Sequence, residues 1–428
     1  MADPHRPTFH YLPPSNWMND PNGLIQWRGR HHLFSQAHPA IPLWDRMHWL
    51  HASGADPVRW RNEPVALLPP PARTPADRGG VFSGSAVDDG GVLTLIYTIF
   101  TDTAAHPGAT AEAVGLATST DGVTFRPEPR PVIAGPPPGS AAGWRDPKVF
   151  RDPVTGSWTM VIGSGDGGRG RVQLHRSADL RAWAYHGVLF EGDASTGPMW
   201  ECPDLFPVGP DWVLIESSDD RVHWWVGAYD GSRFSPRTHG VLDGGPAFYA
   251  AQHYTDDAGR PLLIGWLGRW GAREPTRVGG WAGVQSITRE LFVRPDGVLG
   301  SRPVAEVASL RGAPMAVPGG DALDLVLDGD QVTLRVRESA AEATVVRYAG
   351  GRLTLDTRRS GYGAGGVWSV PVLAGPVRVL VDRSTIEVFG AGGEALTARI
   401  HPRYAESTGV TVTGARTLTA WPMNSAWA

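Results

Sequence analysis

The stretch Trp17-Met18-Asn19-Asp20-Pro21-Asn22-Gly23 places an acid between two amides, next to a proline and close to an indole. Asn, Asp, Pro and Gly favour turns and strand ends, and the residue before a proline is pushed out of the helical region. The stretch therefore predicts that Asp20 is presented from a stiff, extended backbone, as in a polar pocket for a small hydroxylated ligand. On this segment alone, a plain surface turn that contains an acid is the alternative.

Similar polar clusters recur along the chain, each before an apolar run. From Asp20, successive steps of 63, 63, 55 and 48 residues reach Ser83, Asp146, Glu201 and Tyr249. A repeat of this length in a sequence of short strands predicts propeller blades, and five recurrences predict five of them. If the innermost strand of each blade begins at its cluster, the three acids converge at one end of the central channel. The alternative is that acids simply recur in blade turns, as they do in a second series of Asp-containing turns.

The composition favours an all-β fold. Among the 428 residues, 54 Gly and 38 Pro punctuate short apolar or alternating runs, and long amphipathic helices are hard to find. After about residue 305 the texture changes, and strand-like runs then follow at intervals of roughly ten residues, which predicts a β-sandwich. The predicted domains are a five-bladed β-propeller over residues 1–308, a linker over 309–320 and a C-terminal β-sandwich over 321–428.

Charge, cysteine count and hydropathy argue against several classes of protein. With a net charge of −4 and no basic stripe, nucleic acid is not an expected partner. No apolar run of about 18 residues occurs and the first residues lack the apolar core of a signal peptide, so we expect no membrane span and a cytoplasmic protein. Cys202 is the only cysteine and the 14 histidines are scattered, so we expect neither a disulfide nor a metal ion nor another cofactor. Exposed edges of a β-sandwich could pair two chains into a homo-oligomer.

Two carboxyl groups in different surroundings are the usual equipment for cleaving a glycosidic bond. One must be ionised and the other protonated at the working pH, and their environments have to differ to achieve this. Asp20 lies between Asn19 and Asn22, whose amides can donate hydrogen bonds to an anion. This arrangement suits a nucleophile.

The other two acids have different sequence neighbours. Glu201 lies between Trp200 and Cys202, and apolar neighbours disfavour the charged form of a carboxyl group, which suits a general acid. Cys202 is expected to tune the environment of Glu201. Asp146 follows Arg145, an expected ion-pair partner that would keep it ionised and able to stabilise positive charge. The alternatives are a strand-end salt bridge for the Arg-Asp pair and an ordinary turn acid for Glu201.

These motifs resemble the signatures of glycoside hydrolase family 32, the invertases and fructan hydrolases. The matching segments are residues 17–23, Arg145-Asp146-Pro147 and Glu201-Cys202-Pro203, and the segment from Asp382 to Phe389 resembles the family's sandwich-domain signature. The resemblance implies a five-bladed propeller followed by a β-sandwich, which agrees with the spacing of the polar clusters.

The resemblance also implies a role for each matched residue. Asp20 would be the nucleophile that forms a fructosyl-enzyme intermediate, and Glu201 would protonate the leaving oxygen and then activate water. Asp146 would hold fructose hydroxyls and stabilise the transition state. The candidate substrate-binding residues are Asn19, Gln36, Trp44, Phe82, Ser83, Arg145, Tyr249 and Trp266.

The expected activity is that of a retaining β-fructofuranosidase acting on a small sugar, either sucrose or a short fructo-oligosaccharide. A levan or inulin hydrolase and a fructosyltransferase share the scaffold and are alternatives, and a non-catalytic sugar-binding propeller is the alternative from another class. Ala247 stands where the family commonly has an acid that meets the leaving sugar, and Asp45-Arg46 and Leu50 also depart from the family pattern. The missing acid at Ala247 leaves the preference for sucrose open.

Overall fold

The computed structural model describes residues 3–74, 76–362 and 365–427. Strands dominate this part of the chain, which confirms the predicted all-β class. Its helical segments are short 3-10 turns at Ala194–Thr196, Pro275–Gly279 and Ala305–Leu310. Within the same residues, no helix is long and apolar enough to cross a membrane.

Five mainly antiparallel sheets follow one another in the N-terminal region. Sheet 1 contains β1 (Asn16–Trp27), β2 (Arg30–His38), β3 (His48–Gly54) and β4 (Arg61–Asn62). Sheet 2 contains β5 (Gly80–Asp89), β6 (Val92–Phe100), β7 (Glu112–Ser119) and β8 (Arg126–Pro127). Sheet 3 contains β9 (Gly143–Arg151), β10 (Trp158–Asp166), β11 (Arg169–Ser177) and β12 (Trp183–Glu191). Sheet 4 contains β13 (Glu201–Val208), β14 (Asp211–Ser218), β15 (Arg221–Tyr229) and β16 (Phe234–Val241). Sheet 5 contains β17 (Tyr249–Thr255), β18 (Pro261–Trp266), β20 (Arg289–Val293) and β21 (Leu299–Pro303). The short strand β19 (Trp281–Ala282) lies between β18 and β20 in the chain. Most neighbours in a sheet are also neighbours in the chain, because tight Gly- and Asp-rich turns join them.

The first strands of the five sheets form a closed ring. In this ring β1 contacts β5, β5 contacts β9, β9 contacts β13, β13 contacts β17, and β17 contacts β1. In addition, β19 pairs in parallel with the start of β1, which ties the end of this region to its beginning. The five polar clusters of the sequence all lie near the beginnings of these strands, so the ring brings together side chains that are far apart in the chain.

Each of the five first strands carries an extra residue, a β-bulge, at its polar cluster. Asp146, Cys202 and Ala250 have positive φ angles of 65°, 47° and 51° at these bulges. A bulge re-aims the side chains around it, and a left-handed backbone in a residue other than glycine costs of order 1 kcal/mol or more. The ladders are therefore interrupted where the polar side chains turn towards neighbouring strands.

Two five-stranded antiparallel sheets form the C-terminal region and confirm the predicted β-sandwich. Their strands are β22 (Ala322–Asp328), β23 (Gln331–Glu338), β24 (Ala343–Ala349), β25 (Arg352–Arg359), β26 (Val367–Pro371), β27 (Val377–Asp382), β28 (Thr385–Phe389), β29 (Ala395–Arg399), β30 (Gly409–Thr413) and β31 (Thr417–Pro422). Leu325 and Val379 from one sheet and Leu334 and Leu355 from the other are buried in a common core. The alternation of apolar and polar residues along these strands directs one face of each sheet into this core.

A buried polar network joins the two regions. The backbone amides of residues 8–10 donate to the carboxylate of Asp382 in β27, at 2.7 to 3.0 Å. The ring of His10 lies between Asp382 and Glu387, with 2.9 Å to each carboxylate. Glu387 also accepts a hydrogen bond of 3.0 Å from Arg289 in β20. The segment from Asp382 to Phe389, which resembles the family's sandwich-domain signature, therefore contacts both the N-terminal segment and sheet 5.

The C-terminal tail docks on the N-terminal region. Trp427 forms an isolated parallel bridge with Trp60, and the amide of Ala426 donates to the carbonyl of Thr8 at 3.0 Å. Met423 and Ala426 join a core that also contains residues of sheets 1 and 5. The two regions thus share a buried apolar contact as well as the polar network.

Candidate active site

Asp20, Asp146 and Glu201 lie at the bulges of β1, β9 and β13 and meet around Cys202. The Cys202 thiol is 3.8 Å from Oδ2 of Asp20 and 3.6 Å from Oδ2 of Asp146, and the Cys202 amide donates to the latter atom at 2.9 Å. Glu201 immediately precedes Cys202, and its negative charge acts on both aspartates. The closed ring of first strands explains how acids so far apart in sequence come together.

Three side chains from three strands donate hydrogen bonds to Asp20. Asn19 reaches Oδ1 at 3.0 Å, and Gln36 and Ser83 reach Oδ2 at 3.0 Å and 2.6 Å. The indole of Trp17 donates to Oδ1 of Asn19 at 2.7 Å, which fixes the orientation of that amide. Burial raises the pKa of Asp20 to about 6, against the lowering effect of its hydrogen bonds from Ser83 and Asn19. Asp20 is therefore a buried carboxyl group, and three side-chain donors are placed to stabilise its ionised form.

Asn22, the second amide that flanks Asp20, is hydrogen-bonded elsewhere. In the amide orientation that satisfies its neighbours, it donates to Oγ of Ser83 at 3.0 Å and accepts from the backbone amide of Gln36 at 3.1 Å. The prediction that both flanking amides donate to Asp20 is therefore wrong for Asn22. The bulge in β1 is the reason, because an extra residue changes which side chains share a face.

Arg145 forms its ion pairs with two glutamates. Its guanidinium contacts Glu112 at 2.9 Å and Glu201 at 2.8 Å, so the predicted Arg145–Asp146 ion pair is wrong. Neighbouring residues on a strand project to opposite faces, and the positive φ of Asp146 turns this carboxyl group further away. Burial raises the pKa of Asp146 to about 8, and the nearby carboxylates add to this although the charge of Arg145 acts in the opposite direction. The expectation that Asp146 is held ionised by its neighbour is corrected accordingly.

Glu201 has polar partners, contrary to the apolar surroundings that its sequence neighbours predicted. The hydroxyl of Tyr249 donates to Oε2 at 2.6 Å, and Arg145 donates to Oε1 through Nη2 at 2.8 Å and Nε at 3.2 Å. Trp200 and Cys202 are fully buried on either side in the chain, whereas the side chain of Glu201 is 26% exposed. Of the three acids, Glu201 is therefore the most exposed to solvent.

Cys202 contacts the two aspartates, so the prediction that it tunes Glu201 is corrected. Burial, followed by the charges of Asp146, Asp20 and Glu201, raises the pKa of its thiol well above the usual value. The thiol therefore stays protonated and can act as a weak hydrogen-bond donor between the two carboxyl groups.

An aromatic wall borders these acids. It contains Trp17, Met47, Tyr249 and Trp266, with Trp44 and Phe82 packed against them. The rings of Trp44 and Phe82 meet edge to face at 5.8 Å, and those of Trp17 and Trp266 at 6.1 Å. With this wall, all of the residues that the sequence singled out for catalysis or substrate binding lie in one region.

Several residues of the site were missed by sequence reasoning. Glu112 in β7 binds Arg145 and also accepts from the backbone amide of residue 144 at 2.6 Å. Thr98 in β6 accepts from the Asp146 amide at 2.8 Å, and Gln285 donates to the carbonyl of Asn19 at 2.6 Å. Each is a single polar residue outside any motif, so no local signal could have found it. Over the residues that the structure describes, no group of three His, Cys, Asp or Glu side chains could hold a metal ion.

Two family descriptions match the chain. Residues 10–303 match the N-terminal domain of glycosyl hydrolases family 32, and residues 322–422 match the C-terminal part of the same family. The chain belongs to glycosyl hydrolase family 32. The resemblance seen in the motifs is thereby confirmed, and so is the predicted class of enzyme, a glycoside hydrolase.

Individual members of family 32 are similar over nearly the whole chain. A sucrose-6-phosphate hydrolase of Escherichia coli is 37% identical over 94% of this chain and 90% of that protein. A raffinose invertase of Escherichia coli is 38% identical over 93% of this chain and 90% of that protein. Among solved structures, a family 32 β-fructofuranosidase of Bombyx mori is 30% identical and superimposes with a TM-score of 0.86 over 99% of this chain and 95% of that one.

Proposed function

We propose that this family 32 protein is a retaining β-fructofuranosidase that releases terminal fructosyl units from sucrose or short fructo-oligosaccharides. The proposal is carried by two carboxyl groups that are held in different ways. Asp20 is buried beneath three side-chain donors, whereas Glu201 is partly exposed between Arg145 and Tyr249. The names of similar proteins, a sucrose-6-phosphate hydrolase, a raffinose invertase and a β-fructofuranosidase, support a fructoside as the substrate.

The finer architecture belongs to the same proposal. We infer that the five N-terminal sheets are the blades of a five-bladed propeller, with the acids at one mouth of its channel. The ring of contacts among β1, β5, β9, β13 and β17 supports this arrangement. A ring of blades allows each sheet to bury both faces, which no sheet could do alone.

In the first chemical step, a carboxylate oxygen of Asp20 attacks the anomeric carbon of the fructosyl unit. The bond to the leaving sugar breaks as Glu201 donates its proton to the glycosidic oxygen, and a covalent fructosyl ester forms on Asp20. The three donors to Asp20 orient its carboxylate for this attack. Asp146 lies close to the same carboxylate, across the Cys202 thiol, and its carboxyl group holds fructose hydroxyls.

In the second step, Glu201 takes a proton from water as its oxygen attacks the anomeric carbon, and the bond between this carbon and the Asp20 carboxylate breaks. Fructose leaves and Asp20 returns to its starting form, with the configuration at the anomeric carbon retained. Tyr249 and Arg145 keep the Glu201 carboxyl group in one position through both proton transfers. The side chains of Asn19, Gln36 and Ser83 then form hydrogen bonds with both Asp20 and the hydroxyl groups of the bound fructose.

The proposal is tested by separating the products formed from sucrose, sucrose 6-phosphate, 1-kestose, inulin and levan. Free fructose from sucrose or 1-kestose is the expected result. Fructose from levan or inulin alone would instead identify a fructan hydrolase, and longer oligosaccharides would identify a transferase. If no substrate is turned over, a non-catalytic sugar-binding protein replaces the proposal.

A further inference from the structure

The guanidinium of Arg277 lies over the indole of Trp17, which belongs to the aromatic wall beside the acids. Its Cζ is 5.1 Å from the centroid of the Trp17 ring, within the distance of about 6 Å at which a cation is attracted to an aromatic face. Nε of Arg277 is buried and has no hydrogen-bond partner among the residues that the structure describes. The position over Trp17 is therefore not imposed by a hydrogen bond of Nε.

The 3-10 turn Pro275–Gly279, which carries this arginine, is anchored on both sides. After the turn, the carbonyl of Gly280 accepts a hydrogen bond of 2.7 Å from the backbone amide of Asn16 at the start of β1. Before the turn, Glu274 pairs with Arg399 of the sandwich strand β29 at 3.2 Å. These contacts hold the turn, and with it the backbone of the arginine, against the first strand of sheet 1.

Two hydrogen bonds in series lead from the Trp17 ring to Asp20. The indole N–H donates to Oδ1 of Asn19 at 2.7 Å, and the amide of Asn19 donates to Oδ1 of Asp20 at 3.0 Å. All three residues are buried, so water does not readily replace either bond. Because the indole holds the carbonyl oxygen of Asn19, the NH2 group of this amide faces the carboxylate.

The charge over the indole acts on both hydrogen bonds. A cation on the face of the ring draws electron density from it and makes the N–H a stronger donor, and hydrogen bonds in series polarise one another in a buried site. Burial raises the pKa of Asp20, whereas the hydrogen bond from Asn19 lowers it. A stronger bond from Asn19 therefore favours the ionised form of Asp20.

We propose that Arg277 is a positioning residue, which acts through Trp17 and Asn19 to hold the carboxylate of Asp20 in its attacking orientation. The inference rests on the proposed β-fructofuranosidase activity, in which Asp20 is the nucleophile. Arg277 is separated from Asp20 by one ring and two hydrogen bonds, so its removal slows the reaction and leaves the reacting groups in place.

The first test is Arg277→Met, which keeps an unbranched side chain and removes the charge. kcat/KM on sucrose should fall about fivefold, and its acidic limb should move to higher pH, because the hydrogen bond from Asn19 that lowers the pKa of Asp20 is weakened. Arg277→Lys returns a cation to the ring and should restore both in part. Arg273→Met removes an exposed arginine from the same segment and is the matched control, which should behave as the unmodified protein.

A double-mutant cycle separates this route from a general loss of structure. Trp17→Phe keeps an aromatic ring and removes the N–H, so Arg277→Met should have no further effect on kcat/KM in that background. An equal fall in both backgrounds would overturn the proposal. An acidic limb that Arg277→Met leaves unmoved would overturn it as well.

The indole N–H resonance of Trp17 gives a measurement that does not depend on turnover. In protein with isotope-labelled tryptophan, it is assigned as the signal that Trp17→Phe removes. Arg277→Met should move this resonance upfield, as a weakened hydrogen bond does, whereas Arg273→Met should leave it in place. A shift supports the coupling of Arg277 to Trp17 even if no fructoside is turned over, and an unmoved resonance overturns it.

Discussion

Asp20 holds its proton more tightly than an exposed aspartate because it is buried. Its pKa is raised to about 6, and a nucleophile must be ionised, so kcat/KM on sucrose should fall as the pH drops through about 6. Ser83 donates to Asp20 at 2.6 Å and lowers this pKa, so Ser83→Ala should move the acidic limb to higher pH. The pH profile of kcat/KM measures both effects. Ser232→Ala, in an exposed turn, should leave the limb in place, and an unmoved limb in Ser83→Ala would contradict the assignment.

Variants that lack the carboxyl group of Glu201 or of Asp20 are expected to lose activity in different ways. Glu201→Gln should lower kcat on sucrose by about 10²–10⁴-fold, the usual contribution of a general acid–base group. It should lower kcat much less on fructosyl fluoride, whose leaving group needs little protonation. Asp20→Asn should abolish turnover of both substrates.

Circular dichroism of both variants should match that of the unmodified protein, and Glu191→Gln on the outer strand β12 is the control. Near-normal turnover of sucrose by either active-site variant would remove that residue from the proposed mechanism.

At the scale of single strands, three of the bulged first strands, β9, β13 and β17, also share a buried charged contact. Lys148 of β9 is the only lysine in the chain and is 8% exposed. Its ammonium group donates to Asp204 of β13 at 2.7 Å and to the carbonyl of His253 in β17, and the ring of His253 lies 2.9 Å from Asp204. These strands carry Asp146, Glu201 and Tyr249, so the contact helps to set their spacing.

Lys148→Met should destabilise the protein by about 3–5 kcal/mol, because it leaves the buried carboxylate of Asp204 without its cation. Urea denaturation measures the change in the free energy of unfolding. Adding Asp204→Asn should recover part of the loss, since no buried charge then remains unpaired. A Lys148→Met protein as stable as the unmodified one would show that this contact contributes nothing to the fold.

At the scale of the whole molecule, His10 makes the stability of the contact between the two regions depend on pH. Burial alone would lower the pKa of His10, but its hydrogen bonds with Asp382 and Glu387 raise it from 6.5 to about 9. A raised folded-state pKa stabilises the protein fully below about pH 6.5 and progressively less as the pH rises through about 9. The difference between these pKa values corresponds to about 3 kcal/mol.

The test is to compare the unmodified protein with His10→Gln by denaturation at a series of pH values. The difference between their free energies of unfolding should be largest at and below pH 6.5 and should shrink towards pH 9 and above. The comparison cancels the titration of other groups. A difference that does not vary with pH would mean that folding does not change the pKa of His10.

The strands and the family could be predicted from the sequence, but the contacts within the site could not. The apolar runs bounded by Gly, Pro and Asp reappear as strands, because hydrophobic alternation and turn residues act over a few positions. The partners of Arg145 could not be predicted in the same way. Its neighbour Asp146 was expected, yet Glu112 and Glu201 come from other sheets.

The sequence by itself determined the all-β class, the C-terminal sandwich, the membership in family 32 and the recurrence of polar clusters at the starts of first strands. These depend on local periodicity and on motifs of a few residues. Only the tertiary structure decided that Cys202 lies between Asp20 and Asp146 and that burial raises the pKa of both aspartates. The physical reason is that bulges re-aim side chains and ring closure joins distant strands, and desolvation is a property of the whole enclosure that no short stretch of sequence contains.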